Sequence, residues 1–241
     1  MTPERLFFAY LGWSGPGPEG TSGGRWMTLF STDWKGGDVQ VYEEAPEGSP
    51  EADAAGLWNA YSWWAEWPGR GWVLARTLPP RLYLFSEEGK LLKRFPAEDS
   101  AGPPPLPRGG RDRTFELLAM DRVIGLVPAG RFLGVVWLKR HPEGATLRIE
   151  WLDEAFRKVG EGESPFPHPL VPREGLEVAE TRQGRGAILL LRRMTGDYTQ
   201  VTELYEWPFL WKAAEKAQPR SPSRPPRPLP PSAGMKEEMT P

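Results

Sequence analysis

Four times along this chain a Gly-Arg pair precedes a short apolar run. The four are Gly24-Arg25-Trp26-Met27-Thr28-Leu29-Phe30, Gly69-Arg70-Gly71-Trp72-Val73-Leu74, Gly130-Arg131-Phe132-Leu133-Gly134-Val135-Val136 and Gly184-Arg185-Gly186-Ala187-Ile188-Leu189-Leu190. Recurrence of one short unit at intervals of some tens of residues marks a repeat architecture, in which each unit buries its apolar face against its neighbours. A turn and a second apolar run follow each pair. In the second repeat, Arg81-Leu82-Tyr83-Leu84-Phe85 leads through Ser86-Glu87-Glu88-Gly89-Lys90 into Leu91-Leu92-Lys93-Arg94-Phe95. Runs of this length between turn residues are strands, and Gly89 supplies the positive φ that a tight hairpin loop needs.

The other repeats carry the same punctuation. Trp34-Lys35-Gly36-Gly37-Asp38 precedes Val39-Gln40-Val41-Tyr42, and His141-Pro142-Glu143-Gly144 precedes the run Thr146–Leu152. Thr195-Gly196-Asp197 precedes Tyr198-Thr199-Gln200-Val201-Thr202-Glu203-Leu204-Tyr205, which alternates partly, as a half-buried strand does. The unit is therefore an antiparallel run of three or four strands. The fold class expected is all-β: a small or incomplete β-propeller over residues 4–211, with a β-sandwich as the alternative. One stretch departs from this pattern. Ser49-Pro50-Glu51 reads as a helix start, which predicts a helix over about residues 50–60 leading into a strand.

The hairpin at Arg81–Phe95 resembles those of bacterial β-propeller proteins of the NHL-like, six-bladed kind. Asp121-Arg122-Val123-Ile124-Gly125-Leu126, followed by Pro128-Ala129-Gly130-Arg131-Phe132-Leu133, is similar to the inner strands of another such blade. The resemblance implies a ring whose ligand or partner surface lies at one end of a central channel. It implies no reaction, because propellers host many functions.

Beyond Lys212 the sequence turns to Lys-Ala-Ala-Glu-Lys-Ala-Gln and then to the Pro-rich stretch from Pro219 to Pro241. Its few apolar side chains cannot offset the entropy of ordering, so residues 212–241 read as a disordered tail. Within it, Arg227-Pro228-Leu229-Pro230-Pro231 suits a polyproline-binding groove or serves as a tether.

Composition narrows the chemistry. The 241 residues include no Cys and two His, so thiolate chemistry is absent and a zinc site has few ligands to draw on. Thirty Lys+Arg against 32 Asp+Glu give a net charge of −2, which provides no general field for nucleic acid. No apolar run approaches the 18 or so residues of a membrane span. Nor does the opening Met1-Thr2-Pro3-Glu4-Arg5 resemble a signal peptide, so the cytoplasm is the default location, with export the alternative if the true start lies upstream. Gly12-Trp13-Ser14-Gly15-Pro16 lacks the final glycine of a nucleophile elbow. No catalytic residue, metal or cofactor is expected.

The tryptophans carry the one candidate site. Five of the 12 lie close together, at Trp58, Trp63, Trp64, Trp67 and Trp72. They are either core between repeats or an exposed platform for a glycan or a protein, with Arg70, Glu66 and the single Asn, Asn59, as polar neighbours. On the second reading the chain is a non-catalytic binding or scaffolding module. The alternative is a propeller-type hydrolase with a divalent metal held by Asp121, Glu150, Asp153 or Glu154, although Glu150–Glu154 equally reads as a strand end and a solvated turn.

Overall fold

Every regular element among the described residues of the structure, a computed structural model, is a β-strand. It describes residues 5–8, 12–16, 24–46, 62–76, 81–95, 121–168, 170, 174–181, 186–194, 199–209 and 225–229. The predicted helix at residues 50–60 lies outside these, while the strand expected after it begins at Ser62.

The strands form four antiparallel sheets in chain order. In the first, β3 (Gly24–Asp33) is central, with β4 (Gln40–Pro46) on one edge. Its other edge is shared by β1 (Arg5–Phe8) and β2 (Gly12–Pro16), one on each half of β3. The second sheet is the meander β5 (Ser62–Trp67), β6 (Gly71–Arg76), β7 (Arg81–Phe85) and β8 (Leu91–Phe95). The third is the meander β9 (Arg122–Ala129), β10 (Phe132–His141), β11 (Gly144–Leu152) and β12 (Lys158–Pro165). The fourth joins β13 (Gly175–Thr181), β14 (Gly186–Met194), β15 (Gln200–Pro208) and the two-residue β16 (Arg227–Pro228). A sandwich has two sheets, so the four-sheet arrangement departs from that alternative.

The Gly-Arg repeat has a single structural meaning: it opens an inner strand of a sheet. Gly24-Arg25 begins β3, Gly69-Arg70 makes the turn into β6, and Gly130-Arg131 makes the turn into β10. Gly184-Arg185 lies outside the described residues, and β14 begins directly after it. Gly89 has φ 85°, as the β7–β8 hairpin requires, and a Cβ there would meet the Phe7 ring of the first sheet at 2.8 Å.

Among the described residues, three shared cores join the sheets in sequence. Leu29 meets Leu74, Tyr83 and Phe85 between the first and second sheets. Trp67, Val73 and Leu84 meet Val123, Leu133 and Val135 between the second and third. Val136, Leu147 and Ile149 meet Leu189, Leu191 and Trp207 between the third and fourth. The two middle sheets are covered on both faces, which is why β7 and β9 read as continuous apolar runs. β15 alternates between exposed and covered positions, as its sequence predicts for a half-buried strand.

Most of the Pro-rich stretch 212–241 lies outside the described residues, but 225–229 are ordered along the edge of β15. The Leu229 N–H donates to the Leu204 carbonyl at 2.8 Å, and Arg227 pairs with Glu206 at 2.8 Å. An extended Pro-rich segment needs no partner on both sides, so it suits a sheet edge.

Candidate functional site

Strand β5 divides its aromatic residues by parity. Trp63, Ala65 and Trp67 turn toward the third sheet, where all three pack against the second core. Trp64 and Glu66 occupy the opposite face. The Trp63 indole N–H donates to the Val123 carbonyl at 2.8 Å, and that of Trp67 to the Gly130 carbonyl at 2.9 Å. Each ring thus satisfies its one polar atom while tying β5 to the strand beside it. Trp67 is 0% exposed, so the expectation that it contacts a ligand does not fit: its ring area is spent on packing.

Trp64 and Trp72 keep open surface, at 38% and 43% exposure. Trp72 lies opposite Glu66 across the β5–β6 pair, so both indoles share one face of the sheet with that carboxylate. An aromatic cluster fixes the Trp64 ring, with Phe7 at 5.4 Å and Phe85 at 5.7 Å between centroids. Tyr42 completes the cluster, 5.2 Å from Phe85. Arg70 lies in the β5–β6 turn, where its N–H donates to the Trp67 carbonyl at 2.8 Å and its guanidinium pairs with Glu154 of the β11–β12 turn. Trp58 and Asn59 lie outside the described residues.

The first strands of the second, third and fourth sheets enclose a groove of about 300 Å³. Trp63, Trp64 and Glu66 contribute from β5, Gly125 and Pro128 from β9, and Glu180 and Thr181 from β13. β9 and β13 approach so closely that a Cβ on Gly125 would lie 2.4 Å from the Val178 Cβ. The groove therefore combines one held, half-open indole with two carboxylates and a hydroxyl, all of them hydrogen-bonding groups. Sequence reasoning reached the β5 side of it. The β13 side was beyond reach, because nothing in Glu180-Thr181 announces a partner in Gly125, 55 residues before Glu180. Gly125 within the apolar run Val123–Val127 was the available signal, since an interior strand glycine marks close backbone approach.

A second polar cluster lies between the first two sheets. Glu43 is paired with both Arg76 and Arg81, and Thr28 donates to it at 3.4 Å. Burial pushes the Glu43 carboxyl up, but the Arg76 charge, the Tyr83 hydroxyl and Arg81 outweigh burial and hold it below the usual range. Burial and the Glu43 charge drive the Tyr83 hydroxyl up. This is an ion pair wired into a core, and Tyr83 is fully buried.

The carboxylates considered as metal ligands are engaged separately. Asp121 accepts from the Arg140 N–H at 3.1 Å, and Glu150 pairs with Arg148 at 2.7 Å. Asp153 holds the β11–β12 turn, accepting from the Ala155 and Arg157 N–H groups at 2.9 Å each. Among the described residues no three His, Asp or Glu side chains are grouped to hold a cation. His141 shares a hydrogen bond with Thr146 at 3.1 Å, and His168 packs on Phe166 and Tyr205. Among the described residues no helix is long and apolar enough to cross a membrane. In comparisons with family models, curated proteins and solved structures, nothing matches this chain.

Proposed function

We propose that this chain is a non-catalytic binding module, an arc of four propeller-like blades in which the first strands of the last three form a glycan-binding groove. The blade reading is supported by four antiparallel sheets stacked in chain order, each sharing a core with the next. First strands that line a common groove are the counterpart of a channel wall.

The observation that carries the ligand class is Trp64, half open to water yet locked by Phe7 and Phe85 on the groove wall. A sugar ring has an apolar C–H face and a rim of hydroxyls. The indole covers the face, and Glu66, Glu180 and Thr181 meet the rim. A ring already held in place loses little entropy on binding.

A protein partner is the second reading. It is favoured by Leu6, Phe8 and Val41, which leave apolar surface open on the outer face of the first sheet. The hydrolase reading gains no support, since its carboxylates are engaged apart from one another.

The test is tryptophan fluorescence during titration with a panel of neutral hexasaccharides built from glucose, xylose, mannose and N-acetylglucosamine. At least one sugar is expected to shift emission saturably, and Trp64→Ala to abolish that shift while the protein stays folded. Silence across the panel, or unchanged binding by Trp64→Ala, would overturn the glycan reading.

A further inference from the structure

The closing strand of the fourth sheet is built unlike the others. β4, β8 and β12 follow their neighbours through residues 34–39, 86–90 and 153–157, whereas residues 209–226 separate β15 from β16. β15 runs over Gln200–Pro208, yet β16 pairs only with Tyr205 and Glu206. One step further in the same register, the Leu229 N–H donates to the Leu204 carbonyl at 2.8 Å. The Arg227 guanidinium donates to one Glu206 carboxylate oxygen, from Nε at 3.2 Å and from Nη2 at 2.8 Å. Pro226 is buried. Among the described residues no strand pairs with Gln200–Glu203 on the side away from β14.

Proline spacing sets this short reach. In an antiparallel pair every second residue turns its N–H toward the neighbouring strand, and the one between turns it away. Leu229 faces β15, so Arg227 does too, and Pro228 takes the outward position, where a missing N–H costs nothing. Continued in either direction, that alternation reaches Pro225 and Pro231, which have no N–H to give. The segment therefore offers the edge at most two N–H groups and one ion pair, whose Arg227 side chain is 71% exposed. An exposed ion pair adds little to stability, so this cover is weakly held. It leaves unmet the outward carbonyls of Thr202 and Gln200, and it leaves the Leu204 side chain 42% exposed.

We propose that the outer edge of β15 is a docking site for an extended partner segment, and that residues 225–229 are its displaceable cover. The partner runs antiparallel to β15. It carries an arginine opposite Glu206, an apolar residue opposite Leu204, and a residue with a free N–H opposite Thr202. Such a segment repeats the contacts of the cover and adds main-chain bonds to Thr202 and Gln200. Strand addition of this kind takes its affinity from main-chain bonds and its choice of partner from the side chains. The cover meanwhile shields an edge that is a ready template for unselective pairing. Being tethered, it acts at millimolar effective concentration, so a strand of only equal fit is kept out.

The experiment follows the fluorescence anisotropy of two labelled peptides during titration with the full chain. One copies residues 223–233, and the other is the same peptide with Pro231→Val. The chain is used unsubstituted and as the double variant Arg227→Ser with Leu229→Pro, which removes both contacts of the cover from exposed positions. The Val peptide is expected to bind the double variant saturably, and the unsubstituted chain about tenfold more weakly, because the tethered cover competes there. The unaltered copy is expected to bind the double variant at least about threefold more weakly than the Val peptide does, for want of the added hydrogen bonds. Adding Glu206→Lys to the double variant is expected to weaken the Val peptide, and Arg227→Glu within that peptide to restore it. No saturation at millimolar protein, equal affinity of the two chains, or indifference to Glu206→Lys would each overturn the proposal. Sedimentation of the unsubstituted chain as a dimer that the double variant dissociates would give the edge to the tail of a second copy, and would overturn the partner segment.

Discussion

Glu43 of the first sheet and Arg76 of the second form an ion pair across the interface between them, with side chains only 9% and 5% exposed. Arg81 approaches the same carboxylate from the second sheet. Removing one member of a buried pair strands the other's charge, at a cost of about 3–5 kcal/mol. Glu43→Gln strands two guanidiniums, so its loss of stability is expected at the upper end of that range in urea denaturation. The double substitution Glu43→Leu with Arg76→Met is expected to recover part of the loss, because it removes the stranded charge together with its partner. If Glu43→Gln unfolds at the same urea concentration as the parent, the pair contributes nothing to holding the two sheets together.

The same pair predicts a pH dependence. The Glu43 carboxyl is held below its ordinary value in the folded chain, so the unfolded chain binds its proton more tightly. Its contribution is therefore complete above the ordinary carboxylate pKa of about 4.3 and fades as pH falls through the lower folded value. Thermal melts between pH 7 and pH 2 are expected to show an acid-side loss of stability that is smaller in Glu43→Gln. Parallel curves for the two proteins would remove Glu43 from the acid response.

Neighbouring tryptophans of β5 are expected to fail in opposite ways. Trp67 is fully buried and bonded to the Gly130 carbonyl, so Trp67→Ala leaves a cavity and an unmet acceptor, at about 3–5 kcal/mol. Trp67→Phe keeps most of the ring and loses the bond, at about 1–3 kcal/mol. Trp64→Ala gives up a partly exposed ring and is expected to cost less than Trp67→Ala, its larger effect appearing in ligand titration. Denaturation midpoints for the three variants check this order. A Trp64→Ala protein less stable than Trp67→Ala would make Trp64 core and end its role as a platform.

Local features were legible in the sequence, and their assembly was not. Gly89 announced its turn, and the alternation from Gln200 announced a half-buried strand, because both signals lie within a few residues. Each of the four Gly-Arg pairs stands at the start of an inner strand for the same reason. The tryptophans were found but not sorted, since Trp63, Trp64 and Trp67 are chemically alike and only the parity of β5 against its neighbours separates buried from open. Arg70 stood beside the tryptophans in sequence, yet an ion pair with Glu154 in a later sheet claims it. Glu180 and Thr181 joined the site only through the docking of β13 on β9, a long-range contact with no local trace.

That docking gives the sharpest test of the groove. Gly125 faces Val178 so closely that a methyl group at position 125 would lie 2.4 Å from the Val178 Cβ and 2.5 Å from its Cγ2. Gly125→Ala must then push β13 away from β9, an overpacking cost of about 1–3 kcal/mol. The nearest atom is the Val178 Cβ itself, so Val178→Ala cannot relieve the clash, whereas Val178→Gly can. A double-mutant cycle in urea is expected to show favourable coupling for Gly125→Ala with Val178→Gly and little for Gly125→Ala with Val178→Ala. Because Glu180 and Thr181 move with β13, Gly125→Ala is also expected to weaken binding of any hexasaccharide the groove takes, and Val178→Gly to restore part of it. Additive free energies throughout the cycle would mean that β9 and β13 do not meet at this contact, and the groove would lose its third wall.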